Sequence, residues 1–260
     1  MIKIDCKKYA DEILNRISQV PKKGDLMIVT TEHDPASESY IKGKLKDAER
    51  CGIVARKVVV HDQFILKKAV EIGNELPEIS GIIIQLPLPY GFNEKECVNY
   101  VDVKKDVDGF REGSPFLPCT PEGIMYILDE ELGDLTGKTA LVIGRGKLIG
   151  EPIAKLLVEA DCTVTIAHSK TKNLNGMLGN FDIIICAAGV PKLVDLTMCN
   201  AEIVIDAGIS VGDDGKLCGD CYNFKPYLRK NTKVAMMPNG IGLMTRAILM
   251  DHVAYGGKYE

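Results

Sequence analysis

Ala140-Leu141-Val142-Ile143-Gly144-Arg145-Gly146-Lys147-Leu148-Ile149-Gly150 decides the architecture of this chain. Its first four residues form an unbroken apolar run, the mark of a strand buried on both faces. The glycine-rich turn behind them leads into Pro152 to Val158, which reads as a helix. Strand, turn and helix in this order make the phosphate-binding half of a dinucleotide fold. Glycines let the backbone approach a pyrophosphate, and the helix N-terminus supplies N–H groups and the positive end of a dipole. The spacing is G-x-G-x-x-x-G, one residue longer than the generic fingerprint, so the turn alone does not decide cofactor binding.

The same alternation extends on both sides. After the turn, strands are expected at Thr163 to Ala167, Asp182 to Ala187, Ile203 to Asp206 and Val234 to Met236, with a last helix over Gly242 to Tyr255. Before it, helices are expected at Tyr9 to Gln19, from Asp34-Pro35 onward, at Leu66 to Glu75 and at Glu122 to Glu130. Strands are expected at Leu26 to Thr31, Arg56 to Val60 and Gly81-Ile82-Ile83-Ile84-Gln85. Aspartate before proline is a strong helix entry. Met1-Ile2-Lys3-Ile4-Asp5 is read as leading straight into a polar helix. The fold class is α/β with two α/β domains, and Gln85 sits at a strand's carboxyl end, where open parallel sheets place ligands.

The end of the second strand after the turn, Ala167-His168-Ser169-Lys170-Thr171, carries no acid. An NAD site places a carboxylate there to hold the ribose 2′-hydroxyl; Ser169, Lys170 and Arg145 can instead hold a 2′-phosphate. The expected cofactor is therefore NADP, against the simpler reading of Ser169 to Thr171 as a polar turn.

Composition narrows the function. The 260 residues can bury a sizeable core, and a formal charge of −4 offers no basic excess for nucleic acid. No apolar run reaches membrane-spanning length, so no membrane association is expected. Nine cysteines without framework spacing fit a reducing compartment, and the expected location is cytoplasmic. Cys218-Gly219-Asp220-Cys221 has zinc spacing but no second pair or nearby histidine, and no metal is expected.

Ser37-Glu38-Ser39-Tyr40-Ile41-Lys42-Gly43-Lys44 sets a phenol and an ammonium one helical turn apart on one face, able to stack on a flat ligand and handle a proton. Taken alone it is equally an exposed amphipathic helix. It is followed in order by Gln85-Leu86-Pro87-Leu88-Pro89, Lys105-Asp106-Val107-Asp108-Gly109 and Pro118-Cys119-Thr120-Pro121. This ordered set resembles the bifunctional methylenetetrahydrofolate dehydrogenase/cyclohydrolase family, over nearly the whole chain.

The resemblance implies oxidation of 5,10-methylenetetrahydrofolate by NADP and hydrolysis of the methenyl product to 10-formyltetrahydrofolate. It implies an N-terminal catalytic domain of residues 1–120 plus 242–260, a Rossmann-like NADP-binding domain of 121–241, and a cleft between them. The last helix would return to pack on the first domain. Lys44 is carried over as the catalytic group, either a base with a depressed pKa or a fixed charge, with Gln85 orienting it and Tyr40 packing on the substrate. Asp106 is matched to a pterin-binding aspartate, against the simpler reading of a solvated turn residue beside Asp108-Gly109; Gly242 and Leu243 border the substrate. Gly144, Arg145, Gly146, Gly150, His168, Ser169 and Thr171 take cofactor roles, and a homodimer meeting through nucleotide domains is implied.

Two departures bear on competence. Gly146 stands where the family usually has serine, and in Pro238-Asn239-Gly240-Ile241-Gly242-Leu243-Met244-Thr245, Asn239 replaces a glycine and Leu243 a proline. A monofunctional cyclohydrolase with a weakened cofactor site is thus an alternative, and a non-catalytic nucleotide-binding regulator a remote one. A short-chain dehydrogenase is excluded by order, because there the glycine turn precedes the Tyr-x-x-x-Lys pair.

Overall fold

In the computed structural model, which describes residues 1–21, 24–31, 35–212, 215–223 and 231–256, the chain begins with β1 (Ile2–Lys3), α1 (Cys6–Ser18), β2 (Asp25–Thr31), α2 (Pro35–Cys51), β3 (Ala55–Val60), α3 (Gln63–Glu75) and β4 (Ile79–Ile84). Then come α4 (Glu94–Val98), α5 (Cys119–Leu132), β5 (Thr139–Ile143), α6 (Gly150–Glu159), β6 (Thr163–Ala167), α7 (Leu174–Met177), β7 (Ile183–Cys186) and β8 (Val194–Asp195). The rest is β9 (Ile203–Asp206), β10 (Ser210–Val211), β11 (Leu217–Cys218), β12 (Cys221–Tyr222), β13 (Lys233–Ala235) and α8 (Ile241–Tyr255). Residues divide into two compact units: Ala10–Cys119 with Arg246–Glu260, and Met1–Tyr9 with Thr120–Thr245.

The first unit is built on a parallel sheet in the order β3-β2-β4. Parallel neighbours need crossover segments, and α2 and α3 supply them. β2 is central, and its Leu26, Ile28 and Val29 are fully buried. Asp62 caps α3 by accepting the Ile65 N–H at 2.8 Å. Met27, Leu66, Val70, Ile82 and Cys97 share one apolar cluster. The part of α8 in this unit is buried on nearly every side, from Ala247 to Val253. Gly81 lets it come close: a Cβ there would stand 2.7 Å from Val107 and 3.0 Å from Val253.

The second unit has a six-stranded parallel sheet, β1-β13-β9-β7-β5-β6. Ile183, Ile184 and Ile185 of β7 are all fully buried, each contributing ~1.5–3 kcal/mol by burial. Chain order reverses at β5, whose neighbours are β6 on one side and β7 on the other. Such a switch point opens a crevice outside the strands' carboxyl ends.

Two sequence expectations change here. The chain does not enter a helix directly: Ile2 and Lys3 pair in parallel with Lys233 and Val234, which puts residues 1–9 with the second unit rather than in 1–120. The alternation of exposed Lys3 with apolar Ile2 and Ile4 was too short to separate strand from helix. The short elements α4, α7, β8 and β10 to β12 also escaped, each being too brief to show a period. The helix entry at Asp34 lies outside the described residues.

Candidate active site and nucleotide turn

Tyr40 and Lys44, one turn apart on α2, project together, with the Lys44 Nζ 5.1 Å from the centre of the Tyr40 ring. The bland reading of an exposed helix fails at Lys44, which is only 4 % exposed. Gln85 follows β4 directly, and its N–H extends the ladder to Val29 O at 2.8 Å. Its side-chain Nε2 donates to Leu86 O at 2.8 Å, which fixes the amide and turns Oε1 toward Lys44. Lys44 Nζ donates to that oxygen at 3.2 Å. Gln85 therefore orients the ammonium through an amide that is itself held by backbone.

The two aspartates of Lys105-Asp106-Val107-Asp108-Gly109 part company. Asp106 bridges to Ile82 beside β4, and its carboxylate accepts the Arg111 N–H at 2.7 Å. Its side chain is 3 % exposed and holds its own loop, which leaves little of it to meet a ligand. Asp108 is the one that faces the lysine. Burial pushes its carboxyl above the usual range, while Lys44, His252 and a hydrogen bond from the Cys119 thiol pull it back. Burial likewise pushes Lys44 well below an ordinary lysine; Asp108 and Cys119 oppose this, and Arg246 adds to it. The two acids stand two residues apart in one turn, and nothing in the sequence assigned the ligand-facing role to one over the other. Gly109 turns at φ +70°, and a Cβ there would stand 2.3 Å from Leu117 O.

His252 of α8, missed by the sequence reading, completes this cluster. It is fully buried and stacked on Phe116 with ring centres 4.5 Å apart. Its Nδ1 lies 2.8 Å from Val107 O, so that nitrogen carries the proton, and 3.6 Å from the Cys119 Sγ. Arg246, one helical face away, pairs with Asp47 at 2.9 Å and lies over Gly43.

In the second unit the glycine turn occupies the switch point. Gly144 has φ +114°, and a Cβ there would be 2.2 Å from Ala187 O; a Cβ on Gly150 would be 2.4 Å from Gly144 O. Both positions require glycine. Gly146 does not, since nothing lies within 4 Å of where its Cβ would be. No side chain caps α6 at Ile149. Gly144 N–H donates to Ala167 O at 2.9 Å, which sets this turn beside the one that ends β6. In that second turn the His168 N–H donates to the Thr171 hydroxyl at 2.9 Å, and the Lys170 N–H to His168 Nδ1 at 3.1 Å. His168 and Thr171 thus build the turn, while Ser169, Lys170 and Arg145 stand exposed. The tight glycine cradle, the uncapped helix and the absence of an acid suit a dinucleotide with a 2′-phosphate.

Asn239 adopts φ +66°, the left-handed conformation a glycine would take. Leu243, in place of proline, has an N–H that donates to Gly240 O at 3.1 Å in the first turn of α8. Neither departure disrupts the local backbone, and both Gly242 and Leu243 are partly exposed. Cys218 and Cys221 do not act as a pair: they lie on different short strands, and the Cys221 thiol instead contacts Cys186 Sγ at 3.4 Å.

Residues 4–108 match the tetrahydrofolate dehydrogenase/cyclohydrolase catalytic domain, and 118–259 the NAD(P)-binding domain of the same family. The chain is 37 % identical over 268 residues to the bifunctional protein FolD of Dechloromonas aromatica, covering 95 % of this chain and 94 % of that one. It is 39 % identical over 247 residues to that of Methanoculleus marisnigri, covering 90 % and 87 %. Among solved structures, the bifunctional FolD enzyme of Campylobacter jejuni superposes with a TM-score of 0.91 at 31 % identity, covering 99 % of both chains. The Trypanosoma brucei methylenetetrahydrofolate dehydrogenase-cyclohydrolase, complexed with NADP cofactor and inhibitor, gives 0.91 at 26 % identity, covering 99 % and 97 %. Two family domains in sequence, a buried lysine held by Gln85 and a glycine turn at a switch point lead to one conclusion: this chain belongs to the tetrahydrofolate dehydrogenase/cyclohydrolase family.

Proposed function

We propose that this protein oxidises 5,10-methylenetetrahydrofolate to the 5,10-methenyl form with NADP and hydrolyses that product to 10-formyltetrahydrofolate. The observation that carries the reading is the buried Lys44, held by Gln85, beside the Asp108 carboxyl and the Tyr40 ring. NADP, when bound, accepts the hydride. The cation left on the substrate carbon is delocalised over its two flanking nitrogens, so the protein's main task in that step is alignment. Hydrolysis is different: water loses a proton on attack and a ring nitrogen gains one on departure. Burial lowers the pKa of Lys44, which makes it a better proton acceptor than an exposed lysine, and Asp108 can take up the opposite change in charge.

The folate role is assigned to Ala10–Cys119 with Arg246–Glu260 and the cofactor role to Met1–Tyr9 with Thr120–Thr245. Tyr40 packs on the substrate's flat portion, Gly242 and Leu243 border it, and the pterin-binding role expected from sequence for Asp106 passes to Asp108. Gly144, Gly146, Gly150 and Arg145 cradle the cofactor, with Ser169 and Lys170 at its 2′-phosphate; His168 and Thr171 shape that turn. A purely hydrolytic enzyme is not favoured, because the glycine cradle is intact at Gly144 and Gly150. The decisive experiment is spectroscopic: methenyltetrahydrofolate must form from the methylene compound when NADP is supplied.

The environment of Lys44 gives a signed pH result. Asp108→Asn removes a charge that raises the lysine's pKa, so the inflection assigned to Lys44 in methenyl hydrolysis moves to lower pH. Arg246→Met removes a charge that lowers it, so the inflection moves up. The directions hold whether the lysine acts neutral or charged. Inflections that stay fixed in both variants would detach that limb from Lys44.

Two copies are proposed to meet through their nucleotide units. β6 is an edge strand whose Ile166 is 44 % exposed, and Val158 of α6 is 58 % exposed. Sedimentation equilibrium at micromolar protein is expected to give twice the 28.4 kDa chain mass; a monomer refutes the dimer. Action in the cytoplasm is supported by nine cysteines, none of which is joined in a disulfide. Among the described residues no helix is long and apolar enough to cross a membrane.

A further inference from the structure

Two buried carboxylates at the ligand end of the second unit take no part in the chemistry above. Asp206 ends β9 and is 1 % exposed; Asp220 lies between β11 and β12 and is fully buried. Asp206 Oδ1 accepts the Gly208 and Asp220 N–H groups at 3.2 and 3.0 Å, and Oδ2 the Cys221 N–H at 3.0 Å. Asp220 then reaches the loop behind β7: Oδ2 accepts from Ala188 N at 2.7 Å and Gly189 N at 3.2 Å, and Oδ1 from Val190 N at 2.7 Å. Three successive N–H groups thus converge on one carboxylate, a concave backbone arrangement that loops do not adopt without an acceptor at its centre.

The space for the two acids is made by glycine. A Cβ on Gly208 would stand 2.1 Å from Asp220 Oδ1, and one on Gly219 2.0 Å from Asp206 Oδ2. The loop that Asp220 gathers is in turn in backbone contact with the glycine turn, since the Cβ position of Gly144 falls 2.2 Å from Ala187 O. β5 and β7, whose carboxyl ends carry the turn and the loop, are the two strands that flank the switch-point crevice. Burying a carboxylate without a countercharge is costly, so a fully buried acid among backbone donors at this point calls for a reason beyond packing.

We propose that Asp220 is a positioning residue for the cofactor: by gathering Ala188, Gly189 and Val190, its carboxylate fixes the wall of the crevice opposite the glycine turn, with Asp206 fixing Asp220. Asp220 touches neither cofactor nor substrate in this assignment and acts through the loop. The proposal rests on the glycine turn being the cofactor's phosphate end.

Asp220→Asn tests it at nearly constant volume. An amide has one accepting oxygen, so its NH2 must oppose either the Ala188 and Gly189 N–H groups or that of Val190, and the loop loses its shape there. The dissociation constant for NADP, measured by calorimetry on the full-length protein, is expected to rise about ten-fold or more, the scale of one buried donor left unmatched. Hydrolysis of supplied methenyltetrahydrofolate, which needs Lys44 and no NADP, is expected to stay within two-fold. An NADP constant within two-fold of the parent overturns the proposal. So does a parallel fall of hydrolysis and NADP affinity, which would make Asp220 a general support of the fold. Arg145→Ala is the companion: if it weakens NADP and Asp220→Asn does not, the positioning role fails alone. If neither does, the glycine turn is not the cofactor site and both readings fall.

Discussion

Lys44→Met lowers methenyltetrahydrofolate hydrolysis at least ~100-fold, the usual scale of positioned proton transfer, while NADP reduction persists. Methionine keeps most of the apolar stem and deletes the ammonium. Because the lysine is buried, the change also frees the protein from holding a charge away from water, so the folded state loses little. It does strand the Gln85 Oε1 and remove the cation that most lowers Asp108, and the Asp108 carboxyl rises further as a result. Hydride transfer survives because its developing charge is stabilised within the substrate. Both rates must be read on one preparation with an unchanged melting transition. Near-normal hydrolysis would remove Lys44 from the chemistry.

The second large effect concerns the choice between NADP and NAD. Steady-state kinetics are expected to favour NADP, since each charge-assisted hydrogen bond to the 2′-phosphate contributes ~1.5–3 kcal/mol, or ~10- to 150-fold in affinity. Ser169→Asp places a carboxylate where an NAD site carries one. It is expected to lower the NADP-to-NAD ratio of kcat/KM by at least that factor, by repulsion as well as by the lost donor. The exposed Ser169 has no packing role to confuse the result. A ratio that favours NAD in the parent protein, or that does not move in the variant, would separate this turn from the 2′-phosphate.

Much of the parallel-strand pattern was legible, from the apolar run Ala140-Leu141-Val142-Ile143 and from the alternation in Thr163–Ala167; these strands and Ile203–Asp206 fall where the sequence put them. Lys44, Tyr40 and Gln85 were found because two of them lie one helical turn apart and the third directly follows a strand. The burial of Lys44 was not legible, since a lysine pattern on a helix reads as a solvated face until the packed partners are known. Asp108 and His252 were missed for a related reason: the first stands two residues from Asp106 and differs from it only in its packed partners, and the second arrives from α8, far along the chain. Asp206 and Asp220 have only the neighbouring Gly208 and Gly219 to announce them, and glycine beside aspartate is also the commonest turn signal.

The pairing of Ile2 with Lys233, and the membership of Arg246 onward in the first unit, bear on how this chain is made. A ribosome delivers residues in order, at about 5–20 per second, and N-terminal domains generally fold as they emerge. Here neither unit can finish that way. The first lacks Val253 against Gly81 until α8 is out, and the sheet of the second lacks its edge partner for β1 until β13 has formed. Contacts of such high sequence separation form slowly, because the chain entropy of closing the loop is lost before the contact stabilises anything. The edge of β9 that β13 later covers and the uncovered face beside Gly81 are the surfaces at risk in that interval. Completion of both units is therefore a late and nearly simultaneous event in the life of each molecule.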